Sequence, residues 1–280
     1  MQGFSKSKIG IYEKALPMMS WENYFYTVAS AGFDFMEISL DDNPSRLERL
    51  NLGINECHNI RKLAEDAGLT MQSLCLSAHK RYPLGSCDPN LRKKGMDILK
   101  KCINICSFLG IRVILVTGFC VYYEPETKDT LKWYTDSLSE AAQWADSNEI
   151  MLAVEPVEKG LTTVHDVKKV INLIDSPWVR IYADPANMAG LGIDPIPEIR
   201  NNIQDCVAMH IREALPDYYD NVEFGQGILD FDALFKMLAE LNWNCPLMIE
   251  MWNHGEPNYY NKIAQARTFI EKKWLKYHKC

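Results

Sequence analysis

Short apolar runs alternate with longer stretches of helical period from one end of this chain to the other. Eight runs have the length and composition of buried strands: 8–12, 35–40, 71–78, 112–117, 151–155, 179–184, 206–211 and 247–252. The stretches between them carry helix punctuation. Gly32, Gly68 and Gly110 each follow an apolar periodic segment, where a helix ends on a left-handed residue. Asp88-Pro89 reads as an N-cap followed by proline in the first turn, and Leu91, Ile98, Leu99, Cys102, Ile105, Cys106 and Leu109 then share one face. Eight strand–helix units without a Pro/Gly-rich linker predict a single domain over 1–280, folded as a (β/α)₈ TIM barrel. An open doubly wound sheet gives the same local alternation. The count of eight, and the lack of G-x-G-x-x-G after the first strand, favour the closed barrel. The longest loops are expected after strands three, four, six and seven, on the face where such barrels place their chemistry.

Four of the runs deliver a metal-type ligand at their carboxyl end: MLAVEP ends near Glu155, VRIYADP near Asp184, CVAMH at His210 and PLMIEMW near Glu250. Charge is costly beside an apolar core unless something pairs it, and in a parallel barrel these tips converge on one mouth. One imidazole with three carboxylates is a hard, oxygen-rich donor set. It suits Mn²⁺, Mg²⁺ or Co²⁺, with Zn²⁺ compatible but less natural. Glu155 and Glu250 come from strands five and eight. Across a metal-held sugar, such a pair can remove a proton from one face of a carbon and return one to the other.

Composition narrows the field. A formal charge of −7 argues against a nucleic-acid binder, which usually shows a basic face. Nine cysteines, an odd number with no C-x-x-C, do not make a disulfide framework and fit a reduced, cytoplasmic setting. No signal-like apolar segment opens the chain, and no run approaches membrane-spanning length.

The sequence resembles the L-ribulose-5-phosphate (L-xylulose-5-phosphate) 3-epimerase family of the xylose-isomerase-like barrels. The resemblance runs nearly end to end. It is most specific in GIYEKALP at 10–17, GFDFMEISLDD at 32–42, LSAHKRYPLGS at 76–86, GIRVILVTGF at 110–119, FGQGILDF at 224–231 and IEMW at 249–252. It implies one divalent metal, Mn²⁺ first, on Glu155, Asp184, His210 and Glu250. The two glutamates would act as the acid–base pair in C3 epimerisation through a cis-enediolate, in L-ascorbate and pentose catabolism. Relatives commonly form homodimers. One departure is visible: Arg212-Glu213 stands where many superfamily members carry Lys-Asp after the histidine ligand.

A ketopentose phosphate needs cations or amides away from the metal. His79, Lys80, Arg81 and Ser86 after strand three offer them, and Lys14 after strand one reaches the same end. Glu158 and Asn187 are candidates for orienting hydroxyls, and Gly225 and Gly227 for close backbone approach. His79 reads either as a direct substrate contact or as packing against strand three. Arg212 is expected on the opposite side of its strand from His210, anchoring a loop, or beside the site if the strand has ended. Trp21, Tyr122, Tyr123 and Trp252 are candidate pocket walls. Three rival functions follow from the same residues. An epimerase or isomerase of an unphosphorylated ketose stays open. An endonuclease-IV-like hydrolase fits poorly with six histidines and an acidic chain, and the intact glutamate pair speaks against a sugar-binding barrel without catalysis.

Overall fold

Eight parallel strands close in chain order into a barrel, with β8 returning to pair with β1. They are β1 (Ile9–Tyr12), β2 (Phe35–Leu40), β3 (Ser73–Leu76), β4 (Val113–Thr117), β5 (Met151–Glu155), β6 (Val179–Ala183), β7 (Cys206–Ile211) and β8 (Leu247–Ile249). The structure is a computed structural model and describes residues 8–278. The helices are α1 (Trp21–Ser30), α2 (Pro44–Leu47), α3 (Ile54–Asp66), α4 (Pro89–Leu109), α5 (Thr130–Asn148), α6 (Val164–Ile174), α7 (Pro185–Gly190), α8 (Pro195–Asn202), α9 (Phe231–Glu240) and α10 (Tyr259–Tyr277). The expected punctuation is in place. Gly32, Gly68 and Gly110 have φ of 85°, 78° and 78°, and Asp88 caps α4 by accepting from Asn90 N at 2.8 Å.

Two apolar layers hold the barrel. The larger lies between strands and helices. The smaller fills the barrel itself with one side chain from each strand: Tyr12, Phe35, Cys75, Leu115, Ala153, Tyr182, Ala208 and Met248. Phe35 fits because its neighbour across the β1–β2 pair is Gly10, where a Cβ would stand 2.3 Å from the ring.

Three strands stop short of their apolar runs. β3 ends at Leu76 because Ser77–Lys80 winds into a 3-10 turn. β6 ends at Ala183 because Asp184 becomes the N-cap of α7, accepting from Ala186 N and Asn187 N. α7 and α8 thus replace the long loop expected after strand six. β8 ends at Ile249, leaving Glu250 one residue beyond it, tied to β7 by Glu250 N donating to Ile211 O at 3.1 Å.

The turn after β3 settles His79 into packing. The ring is 1% exposed and its Nε2 lies 3.2 Å from Gly95 O on α4. Gly95 also lets the chain at Tyr82 close on α4, since a Cβ there would stand 2.4 Å from Tyr82 O. Burial lowers the imidazole to about 4. Between pH 6.5 and 4 the unfolded chain therefore binds a proton that the folded chain refuses. The stabilising contribution is complete above pH 6.5 and is lost as pH falls toward 4, by about 3 kcal/mol. Urea unfolding of wild type and His79→Gln across this range should show wild type losing stability more steeply by that amount. Parallel pH dependence would show that His79 is not held neutral by burial.

Candidate metal and active site

Four side chains meet at the carboxyl-end mouth of the barrel. Glu155 closes β5, Asp184 caps α7 at the end of β6, His210 lies near the end of β7 and Glu250 follows β8. One ligand atom from each lies within 4.8 Å of all the others, and all four residues are buried. His210 Nδ1 stands 2.8 Å from Glu155 Oε1 and 3.4 Å from Glu250 Oε2. Donors around a single ion at about 2.1 Å would lie roughly 3–4 Å apart, so these spacings suit one cation. His210 Nδ1 is also buried without a hydrogen-bond partner, and Glu250 Oε2 has only its ion pair with Arg212. An orphaned atom of this kind calls for an explanation, and a shared cation supplies one. The cluster can hold a metal ion.

The surroundings fix how each ligand is presented. Glu37, fully buried on β2, lies 3.0 Å from His210 Nε2 and accepts from Ser73 Oγ at 2.5 Å and Tyr182 OH at 2.9 Å. A carboxylate beside Nε2 keeps the proton on that nitrogen and leaves Nδ1 with its lone pair toward the cluster. Nothing in the sequence reading assigned Glu37 a role, although it is the one charge in the run FMEISL and shares the inward parity of Phe35. Asp184 is held by Asn187 Nδ2 at 2.9 Å as well as by the α7 amides.

Arg212 takes the second of its two expected places: β7 ends at Ile211, and Arg212, one residue beyond, stands beside the site rather than anchoring a loop on the opposite side. Its Nε is 3.0 Å from both Asp184 Oδ2 and Glu250 Oε2, and its other nitrogens donate to Tyr219 O and Asn187 Oδ1. Glu213 takes the loop-anchoring part, accepting from Gly225 N at 3.1 Å and Leu229 N at 3.0 Å.

These contacts make the two glutamates unequal. Burial pushes the Glu155 carboxyl up to about 7 against the opposing pull of His210. Burial acts on Glu250 too, but Arg212 and then His210 outweigh it and hold this carboxyl down to about 2. Burial alone would lower His210, yet Glu250, Tyr182, Glu155 and Glu37 together raise it well above its ordinary value.

A cavity of about 500 Å³ opens over the cluster, within the range of about 300–1,000 Å³ typical of small-molecule sites. Of the residues singled out from sequence, Lys14, Glu155, Glu158, Asn187, Glu250, Tyr122 and Trp252 line it, joined by Arg212 and Lys80. Others stand away from its walls. His79 is packed under α4 as described, Arg81 is exposed, and Ser86 is buried with its Oγ accepting from Asp88 N at 3.1 Å. Gly225 sits at φ 82° in a turn folded on Glu213, and a Cβ on Gly227 would stand 2.3 Å from Ala214 O, so backbone crowding explains this glycine. Trp21 stacks on Phe25, and Tyr123 is 72% exposed, edge-on to Tyr122.

Comparison with known proteins agrees with the geometry. Residues 25–276 match the family model of the xylose isomerase-like TIM barrel. Relatives at 32–35% identity extend over nearly the full chain. One is the L-ribulose-5-phosphate 3-epimerase of Escherichia coli K12, 32% identical over 270 residues, with 96% of this chain and 95% of that protein covered. Among solved structures, an L-ribulose 3-epimerase superposes with a TM-score of 0.82 at 19% identity, covering 98% of this chain and 96% of that one. A D-psicose 3-epimerase superposes with a TM-score of 0.81 at 17% identity, covering 95% and 99%. At such identities the structures bear on the fold alone. The full-length relatives go further: this chain belongs to the xylose isomerase-like TIM barrels and, among them, to the L-ribulose-5-phosphate 3-epimerase family.

Proposed function

We propose that this epimerase interconverts L-ribulose 5-phosphate and L-xylulose 5-phosphate by moving the proton on C3, with one divalent metal ion held by Glu155, Asp184, His210 and Glu250. The observation that carries the reaction type is the placement of Glu155 and Glu250 at the ends of separate strands beside one buried imidazole whose Nδ1 has no hydrogen-bond partner. The substrate follows the full-length relatives.

When bound, the ion (Mn²⁺ first, with Mg²⁺, Co²⁺ or Zn²⁺ as alternatives) would polarise the sugar oxygens and make the C3 proton more acidic. One glutamate takes that proton, and the other returns a proton to the opposite face. The roles exchange in the reverse direction. Before a metal binds, Arg212 keeps Glu250 ionised while burial pushes the Glu155 carboxyl up, so the two glutamates are unequal proton acceptors. Asn187 steadies Asp184 and reaches the cavity, where Glu158 is placed to orient a hydroxyl. Tyr122 and Trp252 wall the cavity and limit water.

Incubation with L-ribulose 5-phosphate in D₂O, followed by NMR, tests the reaction. Deuterium at C3 with inverted configuration is expected. Label elsewhere, as in C1–C2 isomerisation, would count against it. Glu155→Gln and Glu250→Gln should each lower turnover by at least about 10²-fold. Wild-type-like turnover in either variant would remove the two-glutamate mechanism.

Metal binding should also depend on pH. Glu155, pushed up to about 7, and His210, raised as well, both lie where protons compete with a cation. Affinity for Mn²⁺ should therefore rise as pH increases through 7 and fall below it, with protons expelled on binding. Calorimetric titration near pH 6.5 in buffers of different ionisation heat measures that release. A heat independent of buffer would contradict it.

A further inference from the structure

The cavity over the cluster holds three lysine and arginine side chains, and two are already spoken for. Arg212 lies between Asp184 and Glu250. Lys14 Nζ is 2.5 Å from Asp41 Oδ2. Lys80 differs. Among the described residues it has no carboxylate partner, and its Nζ rests over two rings, 4.8 Å from the centroid of Phe119 and 4.6 Å from that of Tyr122. Ring faces hold an ammonium through their quadrupole and carry no net charge. The positive charge of Lys80 is thus fixed in place without being cancelled.

Its neighbours have the same unmet demand. Ser77, three residues earlier on the same 3-10 turn, and Thr117 at the end of β4 both line the cavity. Pairing of Leu76 with Val116 puts these two residues at neighbouring positions at the ends of β3 and β4. Ser77 Oγ and Thr117 Oγ1 are buried without hydrogen-bond partners, and Thr117 is 3% exposed. One wall of the cavity therefore presents two unpartnered hydroxyls and one uncancelled ammonium.

We infer that Lys80 is the contact for the anionic phosphate of the substrate, with Ser77 and Thr117 receiving the sugar oxygens between it and the metal cluster. The inference rests on the proposed phosphorylated substrate and names the residue that selects it. Among the cations that the sequence offers after strand three, it selects Lys80 over Arg81, which is exposed and off the cavity wall. Lys80 and Glu250 line the same cavity, which places the two in one site.

The test compares kcat/KM for L-ribulose 5-phosphate with that for free L-ribulose in wild type, Lys80→Met, Lys80→Arg and Arg81→Ala. Loss of one charge-assisted contact should lower the phosphorylated-to-free ratio roughly 10–100-fold in Lys80→Met, mainly through KM, and Lys80→Arg should restore most of it. Competitive inhibition by inorganic phosphate should weaken in parallel. An unchanged ratio, or equal losses on both sugars as expected if Lys80 acts only through Glu250, would overturn the assignment. So would a ratio that falls in Arg81→Ala but not in Lys80→Met. Calorimetric titration with inorganic phosphate separates this inference from the proposed reaction. Binding that weakens at least tenfold in Lys80→Met supports the anion site even if wild type fails to label C3, and equal binding overturns it.

Discussion

The hydrogen bond between His210 Nε2 and Glu37 governs the rest of the site. A buried imidazole must commit one nitrogen to a partner, and whichever nitrogen is committed decides what the other can do. Here the partner is a fully buried carboxylate that is itself held by Ser73 and Tyr182. Nδ1 is left to the cluster of Glu155, Asp184 and Glu250. Because Glu37 sits on β2 and His210 on β7, the bond spans the barrel interior, and the packed ring around Tyr182 holds both ends. Ligand geometry is in this way a property of the barrel core.

Electrostatic balance supplies the second constraint. Three carboxylates crowd one imidazole, with Arg212 as the guanidinium set directly against them. Its charge falls unevenly. Arg212 touches Asp184 and Glu250 but not Glu155, so one glutamate stays ionised while burial pushes the other up. The same asymmetry extends into the cavity, where Lys14 is paired with an acidic partner and Lys80 is not. A ketose phosphate lying between the cluster and Lys80 would meet proton-transfer groups at one end and a charge of the right sign at the other.

The barrel was legible because strand alternation and helix punctuation are local signals: Asp88 caps α4, and Gly110 takes the left-handed conformation after it. The quartet was legible for a related reason, since a charge at the end of an apolar run stands out. Glu37 carried the same signal in FMEISL but lies mid-strand, where only the long-range pairing with His210 reveals its purpose. Arg212 was left between two places because the end of β7 is not written in its sequence; the strand stops at Ile211 and puts Arg212 beside the site. The loop after β3 was hardest to read, because charge alone did not separate its residues. Burial sent His79 under α4, exposure removed Arg81, and two aromatic rings from the loop after β4 fixed Lys80. Those rings are distant in sequence, and no pattern near Lys80 announces them.

Anomalous diffraction from crystals grown with Mn²⁺, collected at the manganese absorption edge, tests the central claim most directly. The account predicts a single peak at the barrel mouth about 2.1 Å from His210 Nδ1 and at bonding distance from Glu155, Asp184 and Glu250, with His210 Nε2 still on Glu37. A peak bonded through His210 Nε2, or one that avoids the quartet, would contradict it.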